Sequence, residues 1–231
     1  MGRCCRAVGA DTAGHDALVN PSELLWDKAA PSSPVLLLAH GAGAPMDSEF
    51  MNTVAQALRQ CDVSVVRFEF PYMRQRRRDG RKRPPDRQPV LLEAFRAAAD
   101  AAGGLANIFI GGKSMGGRMA TYLVADESSD SQVPCRGALC LGYPFHPPGK
   151  SEKTRLSHFS HLRTPVLICQ GERDPFGRRE EVALYDIPSS VTMHWLADGD
   201  HDLKPRKKSG VLWDENLRSA VEAMANFIHR K

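Results

Sequence analysis

The segment at positions 107–118, NIFIGGKSMGGR, frames Ser114 with Gly112 and Gly116, two residues to either side. At ordinary glycine and serine frequencies roughly 0.08 such G-x-S-x-G matches are expected by chance in a chain of this length. The context adds to the pattern, because an apolar, strand-like run precedes it and a helix-period segment (Met119, Ala120, Leu123) follows. A sharp strand-to-helix turn would hold the serine in strained geometry and expose its hydroxyl as a nucleophile. Glycines suit the flanking positions, where side chains would collide with the neighbouring strand or helix. The bland alternative is a glycine-rich turn with an incidental serine.

A hydroxyl needs a base, and the base needs an orienting acid. Around an elbow of this kind the acid and the histidine follow the serine in that order, each on a loop after a later strand. The run at 165–170 is followed by Gly171-Glu172-Arg173-Asp174, and the run at 190–196 by Asp198-Gly199-Asp200-His201. Asp174 and His201 are therefore the expected acid and base. Glu172 stands two residues early, and Asp198, Asp200 and Asp202 crowd the histidine in sequence. His194 falls inside a strand, where a packed, hydrogen-bonded imidazole is expected. His158 and His161 share an i, i+3 spacing without a carboxylate or cysteine to complete a metal site, and His146 and His229 lack supporting context. No metal and no cofactor are expected. Acyl transfer also needs donors for an oxyanion. The N–H of Met115, just after the nucleophile, is one; the loop His40-Gly41-Ala42-Gly43 offers the Ala42 N–H as the other, with His40 ordering that loop. Phe70, Tyr72 and Phe145 are candidates to line the substrate pocket, or else packing residues.

The positioning elements are legible as alternation. Short apolar runs at 34–39, 63–68, 106–110, 136–142, 165–170 and 190–196 suit strands buried on both faces of a parallel sheet. Between them, Met51, Val54, Ala57 and Leu58 share a helical face, with Asp47 or Ser48 placed to cap. Pro89 opens a second helix that Gly103 stops, and Asp214 is placed to cap a last helix carrying Leu217, Val221, Met224 and Ile228. This is the pattern of an α/β sheet with helices on both faces, where functional groups collect at the C-terminal ends of strands.

The combination LLLAHGAG, RFEFPY, GGKSMGGRMA, GERDPFG and GDHD resembles the small α/β hydrolases related to dienelactone hydrolase, notably their bacterial predicted-hydrolase branch. The resemblance covers roughly residues 34–230. It implies a three-layer α/β-hydrolase fold and a Ser–Asp–His triad carried onto Ser114, Asp174 and His201. Dienelactone hydrolases proper use cysteine as nucleophile, so dienelactone itself is not the expected substrate. The region before Val35 is too short for a full pair of leading antiparallel strands, which reduces the expected sheet to six or seven, mostly parallel. Residues 31–231 are expected to form one domain, and 1–30 an extension that is partly disordered or contains one short strand.

Many such hydrolases insert a helical lid after the strand that follows the nucleophile helix. Here that interval, 143–164, is polar and Pro-rich without a long amphipathic helix, so no lid of several helices is expected. The site should be shallow, suiting a small ester or thioester substrate.

The chain has 231 residues, 42% hydrophobic and 25% charged, which excludes a mainly disordered or collagen-like chain. No apolar run approaches the ~20 residues of a membrane span. The first eleven residues are basic without an apolar core, and Arg6 stands where a myristoylation signal wants Ser or Thr, so a cytoplasmic protein is expected. The six cysteines, 4, 5, 61, 135, 140 and 169, lack zinc spacing and read as reduced. A monomer or weak dimer is expected.

Of the net +4, a net of +6 lies in the stretch Arg74–Arg87 and −2 in the remainder. Charge so confined is not a diffuse nucleic-acid-binding surface. The stretch reads as a loop with three uses open: a solvated connection, attraction of an anionic substrate group, or contact with nucleic acid or a nuclear import factor. The leading expectation is an enzyme, a serine hydrolase of small carboxylic esters or thioesters. An acyltransferase or peptidase on the same scaffold, and a non-catalytic binding module using the basic stretch, are the alternatives.

Overall fold

The computed structural model describes residues 23–125 and 135–231. Seven strands form one sheet: β1 (Leu25–Asp27), β2 (Val35–Ala39), β3 (Ser64–Phe68), β4 (Phe109–Lys113), β5 (Ala138–Leu141), β6 (Val166–Gly171) and β7 (Val191–Leu196). Their spatial order is β1-β3-β2-β4-β5-β6-β7. β1 runs antiparallel to β3, and every other neighbouring pair is parallel. β1 falls within the 1–30 segment, of which residues 1–22, with Cys4 and Cys5, lie outside the described residues. Cys61, Cys135, Cys140 and Cys169 are free thiols.

The strands are apolar at nearly every position because the pleat feeds two cores. Leu37 and Ala39 of β2 face one layer with Val66, Phe68 and Ile110, while Leu36 and Leu38 face the other with Val65, Phe109 and Leu139. Helices α3 (Gln88–Ala101) and α4 (Met115–Val124) cover the first face, packing on each other. The second is covered by α1 (Glu49–Gln60) and α6 (Trp213–His229), which also pack together. Two shorter helices, α2 (Pro71–Asp79) and α5 (Arg179–Val182), follow β3 and β6. Burying Met51, Val54, Ala55 and Leu58 on one stripe of α1 is what fixes that helix, since helices this short are marginal in isolation.

Three elements depart from the sequence expectation. β4 is displaced toward its C-terminus: the run at 106–110 is partly a 3₁₀ turn (Leu105–Asn107), and pairing with β2 places Gly111 and Gly112 opposite Leu38 and Ala39. The α6 N-cap is Leu212, whose N–H donates to Glu215 Oε2 at 2.9 Å, while Asp214 lies inside the first turn. Arg74–Asp79 is not loop but the body of α2, with Pro71 in its first turn and Gly80 at φ +72 ending it. Glycine tolerates that left-handed cap because no Cβ crowds the carbonyl.

The chain order places a switch point at the centre of the sheet. From β2 the chain moves outward to β3, then returns to β4 on the opposite side of β2. The helices following β2 and β4 therefore lie in opposite layers, leaving a crevice between the strand ends, the usual place for a ligand in such sheets. Between β5 and β6, the only helical element among the described residues is a 3₁₀ turn, Phe159–His161.

Candidate active site

Ser114 sits at the tip of β4 with φ +51 and ψ −112, a left-handed conformation that costs a non-glycine residue on the order of 1–3 kcal/mol. Its N–H is anchored on Leu141 O at 2.9 Å, tying the turn to β5. The flanking glycines are required by close approach. A Cβ on Gly112 would lie 2.5 Å from the carbonyl carbon of Gly116, and one on Gly116 would lie 2.6 Å from Ala39 O. β4, α4 and the end of β2 can meet only where both side chains are absent.

The loops after β6 and β7 bring Asp174 and His201 to this serine. His201 Nε2 is 2.9 Å from Ser114 Oγ, and His201 Nδ1 is 2.8 Å from Asp174 Oδ2. The carboxylate accepts at Nδ1, so Nδ1 carries the proton and Nε2 is free to accept from the serine hydroxyl. Asp174 is completely buried. Gln170 Nε2 donates to its Oδ2 at 2.9 Å and the Phe176 N–H to its Oδ1 at 2.8 Å, so both carboxylate oxygens are held. The Phe176 ring lies 4.3 Å from the imidazole centroid and covers one face of it. Neither Gln170 nor Phe176 was singled out by the sequence; one lies in an apolar strand and the other next to a proline, and only the folded loops bring them to the site.

The other acidic residues of these loops have separate employment. Glu172 pairs with Arg179 at 2.7 Å and accepts the Asp198 N–H, and Asp198 pairs with Arg173 and Arg206. Asp200 Oδ1 accepts the N–H groups of Asp202 and Lys204, closing the turn that presents His201.

On the opposite wall, His40 is fully buried and its pKa is lowered to about 4 by that burial. The Phe70 N–H donates to His40 Nε2 at 3.1 Å, so Nδ1 carries the proton and donates to Gly41 O at 2.7 Å. The Tyr72 hydroxyl donates to Ala42 O at 3.0 Å, with Gly41 O at 3.3 Å. The Gly41 and Ala42 carbonyls are thereby held. Among the described residues, neither the Ala42 N–H nor the Met115 N–H donates to a protein acceptor. The Met115 N–H also opens α4, where unpaired amides carry partial positive charge.

Phe70, Tyr72 and Phe145 do not line an open pocket. Phe70 and Phe145 are fully buried and Tyr72 is 2% exposed. Phe70 packs edge-on against Phe68, Phe95 and His40, and Phe145 packs against Tyr143 and under Gly177. Phe70 and Tyr72 are turned inward where β3 passes into α2, and Phe145 where the chain leaves β5. Two clefts, of about 310 Å³ and about 430 Å³, are lined by Leu25, Met46 and Arg77 and by Leu156, Phe159 and Tyr185. Neither includes Ser114, Asp174 or His201 in its wall.

The basic stretch is paired in part. Arg74 reaches Glu23 at 2.7 Å, and Arg77 reaches Glu69 at 2.6 Å and Asp47 at 2.8 Å. Arg83 holds Asp79 at 2.5 Å, whose carboxyl is pulled down to about 2 by that guanidinium. Arg76 donates to Gly43 O at 3.1 Å.

Residues 32–229 match the family model described as an alpha/beta hydrolase domain. The chain belongs to the alpha/beta hydrolases. The structure is similar to Est1E from Butyrivibrio proteoclasticus at 14% identity, covering 89% of this chain and 94% of that one, with a TM-score of 0.64. A dienelactone hydrolase from Anabaena variabilis gives the same TM-score at 17% identity, with 90% of each chain covered. A Xanthomonas campestris serine hydrolase described as lacking a lid aligns at TM-score 0.57 and 17% identity, covering 90% of this chain and 88% of that one. At these identities the likeness is one of fold, and membership of the family makes this alpha/beta hydrolase a hydrolase. Among the described residues no helix is long and apolar enough to cross a membrane.

Proposed function

We propose that this hydrolase cleaves small carboxylic esters or thioesters through an acyl-enzyme on Ser114. The observation that carries the reading is the continuous chain Ser114 Oγ, His201 Nε2, His201 Nδ1, Asp174 Oδ2, with contacts of 2.9 and 2.8 Å at the end of a strained elbow. In this reading Ser114 Oγ attacks the carbonyl carbon while its proton passes to His201 Nε2. The charge that develops on the carbonyl oxygen meets the N–H groups of Ala42 and Met115. Two such preorganised donors supply several kcal/mol, since losing one costs about 2.7–4 kcal/mol. The imidazolium, stabilised by Asp174, then protonates the leaving alkoxide or thiolate as the tetrahedral intermediate collapses. A water enters, gives its proton to His201 and attacks the acyl carbonyl, and collapse returns the proton to Ser114.

Substrate size follows from what surrounds the serine. The segment between β5 and β6 contributes one 3₁₀ turn, and Phe70, Tyr72 and Phe145 are buried in packing. A long acyl chain finds no tunnel there. On p-nitrophenyl esters, kcat/KM should peak between acetate and hexanoate and fall for longer acyl groups. A maximum at dodecanoate, or activation by a lipid interface, would contradict the small-ester reading.

A further inference from the structure

One buried charge beside the nucleophile has no part in that mechanism. Lys113 ends β4 one residue before Ser114, and only 8% of its surface is exposed. Burial lowers its pKa, as expected for an ammonium withdrawn from water. Its Nζ donates to the backbone carbonyl of His201 at 2.6 Å, stands 3.2 Å from Asp202 Oδ1 and lies 5.5 Å from the Phe50 ring centroid. Among the described residues, no backbone N–H donates to that carbonyl. Access to it passes Gly142, at φ +66, where a Cβ would lie 2.7 Å from His201 O and 3.2 Å from Lys113 Nζ. The Asp202 side chain is 68% exposed, so its ion pair with Lys113 is screened and holds the loop weakly.

We propose that Lys113 is a positioning residue for the base. It grips the His201 carbonyl and thereby sets where Nε2 meets Ser114 Oγ. Lys113 and Ser114 are consecutive, so one strand end, itself paired to β2 and β5, places the nucleophile by its backbone and the base by its ammonium. Small displacements of a base are costly in catalysis, because proton transfer requires near-attack geometry. The proposal rests on the triad reading, so its test is read beside Ser114→Ala.

The test compares Lys113→Met, which keeps the length and apolar stem, with Lys113→Gln and with Asp202→Ala. Steady-state kinetics on p-nitrophenyl acetate and the rate of fluorophosphonate labelling are followed together with thermal unfolding. Both Lys113 variants should remain folded and lose about 30- to 100-fold in kcat with KM within about twofold, and labelling should slow by the same factor. Asp202→Ala should stay within about twofold of wild type. Lys113 variants within threefold of wild type while Ser114→Ala is inactive would overturn the positioning role and leave the triad standing. A loss residing in KM, an equal loss in Asp202→Ala, or failure of both Lys113 variants to fold would overturn it as well. Activity retained by Ser114→Ala would instead remove the triad and the positioning role with it.

Discussion

Asp174 is the member of the proposed triad whose surroundings make the sharpest demand. Its Oδ2 accepts from both His201 Nδ1 and Gln170 Nε2, and its Oδ1 from the Phe176 N–H. An amide in this place would have to present an NH₂ group to one of these donors. Asp174→Asn should therefore leave the fold intact and lower kcat by about 10⁴-fold on p-nitrophenyl acetate, through the wrong imidazole tautomer. A loss of less than tenfold would mean that Asp174 does not orient the base. That Ser114, Asp174 and His201 come together was legible in the sequence, because chain order and placement after successive apolar runs narrow the choice sharply. Lys113 was not, because its contact with the His201 carbonyl joins segments remote in sequence, and Gln170 and Phe176 were not, because an apolar strand and a proline-containing turn do not announce that their polar groups converge on Asp174. For Phe70, Tyr72 and Phe145 the sequence left lining and packing both open, and the structure buries all three. An aromatic residue near a catalytic motif looks the same in sequence whether it faces a ligand or the core.

At the level of elements, catalytic geometry depends on where strands end and how closely the following turns approach. Gly171 closes β6, and a Cβ there would lie 2.3 Å from Asp200 O and 2.5 Å from Gly199 O, both in the turn that presents His201. Backbone atoms cannot yield as a flexible side chain would. Gly171→Ala should push that turn away from Ser114, lower kcat at least tenfold and destabilise the protein by roughly 1–3 kcal/mol in urea unfolding. Wild-type kinetics in this variant would show that the turn has room to relax. Five of the six strands expected from apolar runs formed nearly where the sequence put them, while β4 slid toward Gly111 and Gly112. Glycines carry no strand signal of their own, and it is pairing with β2 that extends the strand through them. α2 was hidden by its charge: arginines at four of nine positions suggest a solvated loop, yet Arg74 and Arg77 are held by carboxylates from outside the helix.

Across the whole molecule, the buried histidines make stability depend on pH. His40 is pushed from 6.5 down to about 4 by burial, and His158, stacked on Tyr122, is pushed down to about 4 in the same way. In the unfolded chain both take up protons near pH 6.5, whereas the folded protein resists until about pH 4. Their contribution is therefore complete above pH 6.5 and lost as the pH falls toward 4. His40 alone should reduce the unfolding free energy by about 2 kcal/mol between pH 7 and pH 5, with His158 acting in the same direction. A free energy from urea titrations that stays level over this interval would contradict the neutral, buried assignment of these rings. The overall architecture was the most legible part of the sequence, since continuous apolar runs and period-3.6 stripes report burial directly; the pairing of Arg74 and Arg77 was not, since it is settled only when Glu23, Asp47 and Glu69 are brought beside α2. A covalent intermediate on Ser114 can be caught by mass spectrometry of the protein quenched in acid during turnover of p-nitrophenyl acetate. The mass should increase by one acetyl group, located on the peptide containing Ser114 and absent from Ser114→Ala. Turnover without any adduct on that peptide, or an acetyl group carried by another residue whose replacement abolishes activity, would contradict it.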